Sequence, residues 1–183
     1  ALEEGLAYLP RDRHGLGIVA IRSVSNNITM SVIGRLTRWM GMIDGGRETH
    51  LVDGFIDKLG VKTPSPATFV ENLSGGNQQK VVVAKWLTAE MDVLIFDEPT
   101  RGIDVGAKQE IYHLLNELAA EGKSIIMISS ELPEILRMSH RIIVICEGRL
   151  TGELTAAEAD QEKIMTLATQ RESVAGVKDV VRA

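Results

Sequence analysis

Short apolar runs alternate with amphipathic stretches over residues 73–154. The runs 93–96 and 125–128 are continuously apolar, which is typical of strands buried on both faces of a parallel sheet. Between them, residues 111–118 place apolar side chains at i, i+3, i+4 and i+7, which predicts a helix with one apolar face. The run 141–146 predicts a third strand. The order strand, helix, strand, helix, strand predicts an α/β fold with right-handed crossovers.

Weaker patterns extend this framework in both directions. Residues 6–9 form a short apolar run, and residues 23–72 have the pattern of helices and loops broken by the Thr-Pro-Ser-Pro segment 63–66. The other predicted elements are a helix over residues 77–90, a short helix over 131–138, a hairpin turn at Glu147-Gly148 into a strand over 149–154, a helix over 156–169 and a loose tail over 173–183.

The composition excludes several function classes. Lys plus Arg is 20 and Asp plus Glu is 25, so the net charge of −5 gives no basic footprint for nucleic acid or anionic lipid. Aromatic residues make up 4%, too few for a base-stacking platform. The single cysteine, Cys146, excludes an internal disulfide and is expected to be a core thiol. The longest apolar runs are far shorter than a membrane span.

A glycine-bearing segment at the predicted start of the helix over 77–90 has the pattern of an anion site. Ser74 is followed by Gly75 and Gly76, which would expose backbone N–H groups and allow close approach at a helix N-terminus. Phosphate is the usual ligand of such a site. The alternative is that Ser74 caps the helix and the two glycines form a tight turn.

Two acids follow the apolar run 93–96. Asp97 and Glu98 would stand at the carboxyl end of a buried strand, where ligands bind in open α/β sheets. Asp97 could hold Mg²⁺ through water, and Glu98 could orient or deprotonate an attacking water. The alternative is a strand that ends at the surface in two solvated acids before the turn at Pro99.

Together these segments resemble the signature motif and the Walker B strand of ATP-binding cassette ATPases, and the resemblance covers residues 5–155. Downstream, Gly102-Ile103-Asp104 is similar to the loop after Walker B, and residues 127–131 are similar to the strand that leads to the switch position. The resemblance implies a P-loop-type α/β core with a helical subdomain. It divides the chain into residues 1–22 as the start of the core, 23–76 as the helical subdomain with the signature, 77–155 as the rest of the core, and 156–183 as a C-terminal helix and tail.

Residues 77–80, 98–108 and 129–131 look like the second nucleotide-binding domain of tandem sugar-importer ATPases. That resemblance implies ATP and Mg²⁺ as cofactors. It also implies a second nucleotide-binding domain, membrane permease subunits and, indirectly, a sugar-binding protein as partners, at the cytoplasmic face of the membrane. It makes Glu98 and Ser130 the catalytic residues and Asp97 the metal residue. The residues expected to bind the nucleotide are Ser74, Gly75, Gly76, Gln78, Asp104 and Arg11.

Two positions depart from a generic cassette. Ser130 stands where the switch histidine is usual, a trait that the sugar-importer second domains share. The alternative is that Ser130 caps the following helix. Arg11 stands where a glutamine or glutamate is usual, and a cation cannot accept a hydrogen bond from metal-bound water. Arg11 could contact phosphate or the permease, or be a solvated surface residue.

The P-loop motif Gly-x-x-x-x-Gly-Lys-Ser/Thr does not occur in these 183 residues. We therefore expect the chain to begin within a cassette, to bind ATP poorly alone and not to hydrolyse it. We also expect incomplete folding, because the P-loop strand of the family would neighbour the Asp97 strand and its loss would expose an apolar edge. The alternative function is a non-catalytic module that donates a signature or regulates a partner. A repair or translation ATPase fits the acidic balance and the downstream motifs less well.

Overall fold

The structure, a computed structural model, describes residues 4–170 apart from the side chains of His14 and Met40. The predicted loose tail at residues 173–183 lies outside the described residues. The chain divides into two units, residues 1–130 and residues 131–183. Over the part that is described, no helix combines the length and the apolarity needed to cross a membrane.

A parallel sheet of three strands forms the centre of the first unit. β1 (Leu6–Leu9), β2 (Val93–Asp97) and β3 (Ser124–Ile128) are ordered β1-β2-β3, with β2 hydrogen-bonded on both sides. Leu94 and Phe96 of β2 are fully buried. The parallel strands and their helical crossovers confirm the predicted α/β class.

The pairing of β2 corrects one expectation. Because β2 has neighbours on both edges, no strand can be missing beside Asp97, and the reason given for incomplete folding is wrong. The burial predicted for residues 125–128 is also wrong, since Ile126 and Ile128 are half exposed on β3, at an edge of the described sheet. Apolarity alone does not show which strand lies at an edge.

Helices occupy most of the rest of the first unit. They are α1 (Val24–Thr29), α2 (Ile33–Leu36), α3 (Gly45–Leu59), α4 (Gly75–Leu87) and α5 (Val105–Ala120), with a π-helical turn at Arg13–Gly17 and 3₁₀ turns at Met30–Val32, Trp39–Gly41 and Val70–Asn72. Side chains of Ser23, Asp44 and Asp104 accept backbone N–H bonds at the starts of α1, α3 and α5. α4 starts two residues earlier than predicted, at Gly75, and is buried along most of its length.

An ion-pair cluster joins the middle of α4 to its neighbours. The buried Lys80 ammonium donates to Glu110 of α5 at 2.8 Å and to the carbonyl of Gly60, which ends α3 in the left-handed conformation. Lys62 also donates to Glu110, at 3.1 Å. The hydrogen bonds from Lys80 and then Lys62 lower the pKa of Glu110 below its ordinary value.

Replacing Glu110 should weaken this cluster in a pH-dependent way. A lowered pKa means that the stabilisation is present above the ordinary glutamate pKa and is lost as the pH falls through the folded-state value. Because Glu110 is partly exposed and screened, we expect Glu110→Gln to lower the free energy of unfolding at pH 7 by about 0.5–1 kcal/mol. Urea unfolding between pH 7 and pH 3 should show this difference shrinking. A difference that grows towards low pH would contradict it.

The second unit is a hairpin covered by helices. β4 (Arg141–Cys146) pairs antiparallel with β5 (Arg149–Thr155), and the turn residues Glu147 and Gly148 both have positive φ, as a tight hairpin requires. Buried Ile142, Val144 and Ile164 form its core, with residues of α6 (Leu132–Met138) and α7 (Gln161–Ala168) packed against them.

Two predictions need correction in this unit. The third parallel strand of the sheet is β1, whereas β4 belongs to a separate two-stranded sheet. Its alternating burial is that of a half-buried antiparallel strand. The predicted helix over 156–169 begins only at Gln161, because the Asp160 side chain accepts from the Lys163 backbone N–H and fixes the start there. Cys146 is buried, as predicted.

Candidate functional site

Asp97 stands at the carboxyl end of the central strand. One oxygen of its carboxylate, Oδ2, accepts a hydrogen bond of 2.7 Å from the hydroxyl of Tyr8 on β1. This bond raises the pKa of Tyr8, because ionising the phenol would remove the donor and place a second negative charge beside Asp97. Tyr8 was not predicted as a site residue. It is brought to Asp97 by the parallel register that sets Tyr8 beside Ile95.

Glu98 and Ser130 lie together at the carboxyl end of the same sheet. The Glu98 carboxylate accepts a 3.0 Å hydrogen bond from the backbone N–H of Ser130, and the Glu98 N–H donates to the carbonyl of Ile128. Glu98 has a φ of 51°, an uncommon left-handed conformation for a residue with a side chain. The alternative role for Ser130 as a cap is wrong, since the residue at the N-cap of α6 is Glu131.

The start of α4 leaves its backbone donors without a side-chain cap. Ser74 occupies the N-cap position but makes no capping bond, and its hydroxyl instead accepts from the Asn77 side chain at 2.9 Å. Ser74 therefore occupies the N-cap position, as the capping alternative expects, but its side chain does not make the capping hydrogen bond. Uncapped N–H groups at a helix N-terminus suit an anion.

Packing also requires a glycine at Gly76 and leaves little room for a side chain at Gly75. A Cβ on Gly76 would lie 2.7 Å from the Cβ of Ala107 on α5, and one on Gly75 would lie 3.1 Å from the Ile103 side chain. The start of α4 is thus pressed against the loop 102–104 and the first turn of α5. No local sequence pattern indicated this packing, because the partners are about thirty positions apart.

Substituting Gly76 should therefore destabilise the first unit. Gly76→Ala forces one helix to move, which costs about 1–3 kcal/mol and outweighs the helix propensity that alanine adds. Urea unfolding should show a lower midpoint for this variant. The matched control is Gly54→Ala in α3, where a Cβ meets no atom within 4 Å and the variant should be more stable than the parent.

A second substitution separates the contact from a general effect. If the Gly76 and Ala107 positions collide as described, Ala107→Gly should recover part of the stability that Gly76→Ala loses, although it is itself a poor change within a helix. Losses that simply add would show that this contact is not the cause.

Two other predicted nucleotide-binding residues make bonds within the protein. The Asp104 carboxylate accepts from the Ala107 backbone N–H at 2.9 Å and caps α5. Gln78 is buried, with its amide donating to the carbonyl of Val70 and accepting from Arg13 at 3.3 Å. The structure therefore places Gln78 inside the unit. Arg13 stands two residues after Arg11, which was predicted because it occupies the family position where glutamine or glutamate is usual.

Arg11 itself is exposed at an open cavity of about 570 Å³. The other residues that line this cavity are Tyr8, Pro10, Asp12, Arg13, Leu16, Arg101 and Gly102. Three arginines and one aspartate make the lining basic, which favours an anion. The cavity also includes Tyr8, whose hydroxyl contacts Asp97.

The residues at the carboxyl end of the sheet fit a magnesium ion that is held by few protein ligands. Among residues 4–170, no group of three or more His, Cys, Asp or Glu is placed to hold a metal. Mg²⁺ commonly binds one or two carboxylates and completes its shell with water and phosphate oxygens. Asp97, half-buried with one oxygen fixed by Tyr8, fits that pattern.

The family model described as ABC transporter matches residues 6–101, more than half of the chain. The chain belongs to the ABC transporter family. The predicted family assignment is confirmed, and Asp97, Glu98 and the start of α4 lie within the matched range.

Relatives of this ABC transporter chain are sugar-import proteins. It is 57% identical over 173 residues to the putative ribose/galactose/methyl galactoside import ATP-binding protein 3 of Burkholderia ambifaria, covering 94% of this chain and 34% of the relative. It is 51% identical over 168 residues to the ribose import ATP-binding protein RbsA of Clostridium tetani, covering 92% and 33%. The chain thus spans about a third of the length of the curated relatives it matches.

Solved structures confirm the fold of this ABC transporter chain. It resembles the ATP-binding cassette MJ0796 in a dimeric post-hydrolysis state bound to ADP and Pi, with a TM-score of 0.67 at 18% identity, covering 82% of this chain and 62% of that one. The TM-score with MJ1267, an ATP-binding cassette of an ABC transporter, is 0.73 at 17% identity, covering 91% and 69%.

Proposed function

We propose that this chain is the C-terminal part of the ATP-hydrolysing subunit of a carbohydrate importer, in which ATP-driven closure of two paired cassettes powers uptake. The observation that carries the proposal is the group at the end of β2, where Asp97 is held by Tyr8 and Glu98 by the Ser130 N–H. The import functions named for the relatives support the carbohydrate class.

Each residue has a chemical role in this proposal. Glu98 would orient and deprotonate the water that attacks the γ-phosphate, while the Ser130 N–H fixes its carboxylate. Asp97 would hold Mg²⁺ through water, and the ion when bound would neutralise charge on the phosphate oxygens. Ser74, Gly75 and Gly76 would present N–H groups to the γ-phosphate of ATP bound by the partner cassette.

The partners and the location follow from the same proposal. The chain would pair with a second nucleotide-binding domain and dock under permease subunits on the cytoplasmic face of the membrane. A sugar-binding protein would act indirectly, through the permease. Within this arrangement, residues 1–22 and 77–155 would belong to the ATPase core, 23–76 to the helical subdomain and 156–183 to a C-terminal helix and tail.

A hybrid protein tests the proposal. We define the hybrid as the Burkholderia ambifaria relative in which the matching third of the sequence is replaced by this chain. We expect the hybrid to hydrolyse ATP in the presence of Mg²⁺ and to restore ribose or galactose uptake to a strain that lacks the relative. A folded hybrid that neither hydrolyses ATP nor supports uptake would contradict the proposal.

The second candidate is the non-catalytic module, favoured by the lack of a P-loop motif in these residues. Such a module would donate its signature without completing an ATP site of its own. The reading frame upstream of Ala1 separates the two candidates. Another cassette in frame supports the importer subunit, and a stop codon directly before Ala1 supports the module.

A further inference from the structure

The side chain of Arg13 joins three segments of the first unit. Its Nη1 donates to the carbonyl of Arg101 at 3.0 Å, and its Nε donates to the side-chain oxygen of Gln78. Its Nη2 lies 2.8 Å from the position that a Cβ on Gly75 would occupy. One guanidinium therefore contacts the turn after Glu98 and the first turn of α4 from a third segment, the π-helical turn at Arg13–Gly17.

The two residues that accept hydrogen bonds from Arg13 are each held by a further hydrogen bond. The Arg101 N–H donates to the carbonyl of Glu98, so the carbonyl that Arg13 binds belongs to a turn closed on Glu98. Gln78 is buried and donates to Val70, so its side chain cannot follow a moving partner freely. Arg13 thereby connects the turn that holds Glu98 to the start of α4.

The chemistry of the contact requires a guanidinium. Arginine presents donors in a rigid planar fork, whereas a lysine ammonium is a compact charge that cannot span two acceptors in fixed directions. Both acceptors of Arg13 are neutral oxygens, and burial lowers the pKa of Arg13 below its ordinary value. The guanidinium is thus partly desolvated and makes two hydrogen bonds to uncharged groups. The contact therefore depends on the fixed directions of its donors more than on its charge.

We propose that Arg13 is a positioning residue that sets the start of α4 against the turn after Glu98. The inference deepens the proposed function, because the start of α4 would serve ATP on the partner cassette while Glu98 serves ATP on its own. Arg13 would then keep the elements of the two ATP sites in one fixed arrangement. Its loss should impair the closed state more than ATP binding to the open state.

Hydrogen exchange and kinetics of the hybrid test this inference. Arg13→Lys should speed amide exchange roughly tenfold at Gln78 and Arg101, whose N–H groups donate to the carbonyls of Ser74 and Glu98, because the bonds that hold these segments are lost, and leave β2 unchanged. The hydrolysis rate should fall roughly tenfold or more at saturating ATP, with little change in the ATP concentration that half-saturates the protein. The matched control is Arg22→Lys, an exposed arginine whose variant should behave as the parent.

Each outcome decides the inference. Unchanged exchange at Gln78 and Arg101 would overturn it. Faster exchange spread equally over β2, with a lower melting temperature, would also overturn it, because that result describes a general stabiliser. If the parent hybrid lacks ATPase activity, the proposed function fails, and the exchange measurement still decides whether Arg13 positions α4.

Discussion

Glu98→Gln is expected to reduce magnesium-dependent ATP hydrolysis about 10²–10⁴-fold at the ATP site of the hybrid that Glu98 serves, the range of a lost general base. The amide oxygen of glutamine can still accept the Ser130 N–H bond, and glutamine tolerates the positive φ at this position as well as glutamate does. The variant therefore removes the base and keeps its surroundings. ATP binding, measured by equilibrium titration, should be unchanged.

The control for this prediction is Glu71→Gln, which makes the same chemical change at an exposed glutamate. It should hydrolyse ATP at the parent rate. Glu98→Ala adds a second comparison, since it removes both the base and the acceptor for Ser130 and should also loosen the turn at residues 98–101. If Glu98→Gln retains the parent rate, Glu98 is not the base and the roles assigned at the end of β2 are wrong.

Local sequence signals were sufficient for the central elements of the fold. The run 93–96 predicted a strand that ends at Asp97, and the acids that follow it lie at the sheet edge, as expected. Helix starts were less predictable where a side chain fixes them, as at Asp160. The exposure of Ile126 and Ile128 could not be predicted, because burial of a strand depends on what pairs with it and covers it.

In the candidate site as well, local sequence signals identified some residues and missed others. Neighbours in sequence, such as Asp97 and Glu98, were recognised because a single strand end positions both. Tyr8 and Arg13 were missed, since their partners are 65 to 89 positions away and only the sheet register and helix packing bring them together. Gly76 was assigned to phosphate approach or to a tight turn, whereas its contact with Ala107 gives a separate reason for a glycine.

The 183-residue chain alone is expected to show no magnesium-dependent ATP hydrolysis, and to bind ATP weakly. The groups that it offers a nucleotide, the N–H groups at the start of α4 and the acids at the end of β2, are assigned to the γ-phosphate and the metal. No P-loop sequence is present to hold the remaining phosphates through backbone N–H groups and a lysine. Without that cradle, the substrate is not held in line with the water that Glu98 would activate, and the contribution of positioning to the rate is lost.

Phosphate release by the purified chain, measured beside the hybrid at equal concentration, checks this expectation. The hybrid contains the same Asp97, Glu98 and Ser130. Activity that is present in the hybrid, lowered by Glu98→Gln and absent from the chain would therefore show that these residues depend on phosphate contacts made elsewhere. Hydrolysis by the chain that Glu98→Gln abolishes would contradict the prediction. It would mean that the basic cavity at Arg11, Arg13 and Arg101 can hold the phosphates in place of a P-loop.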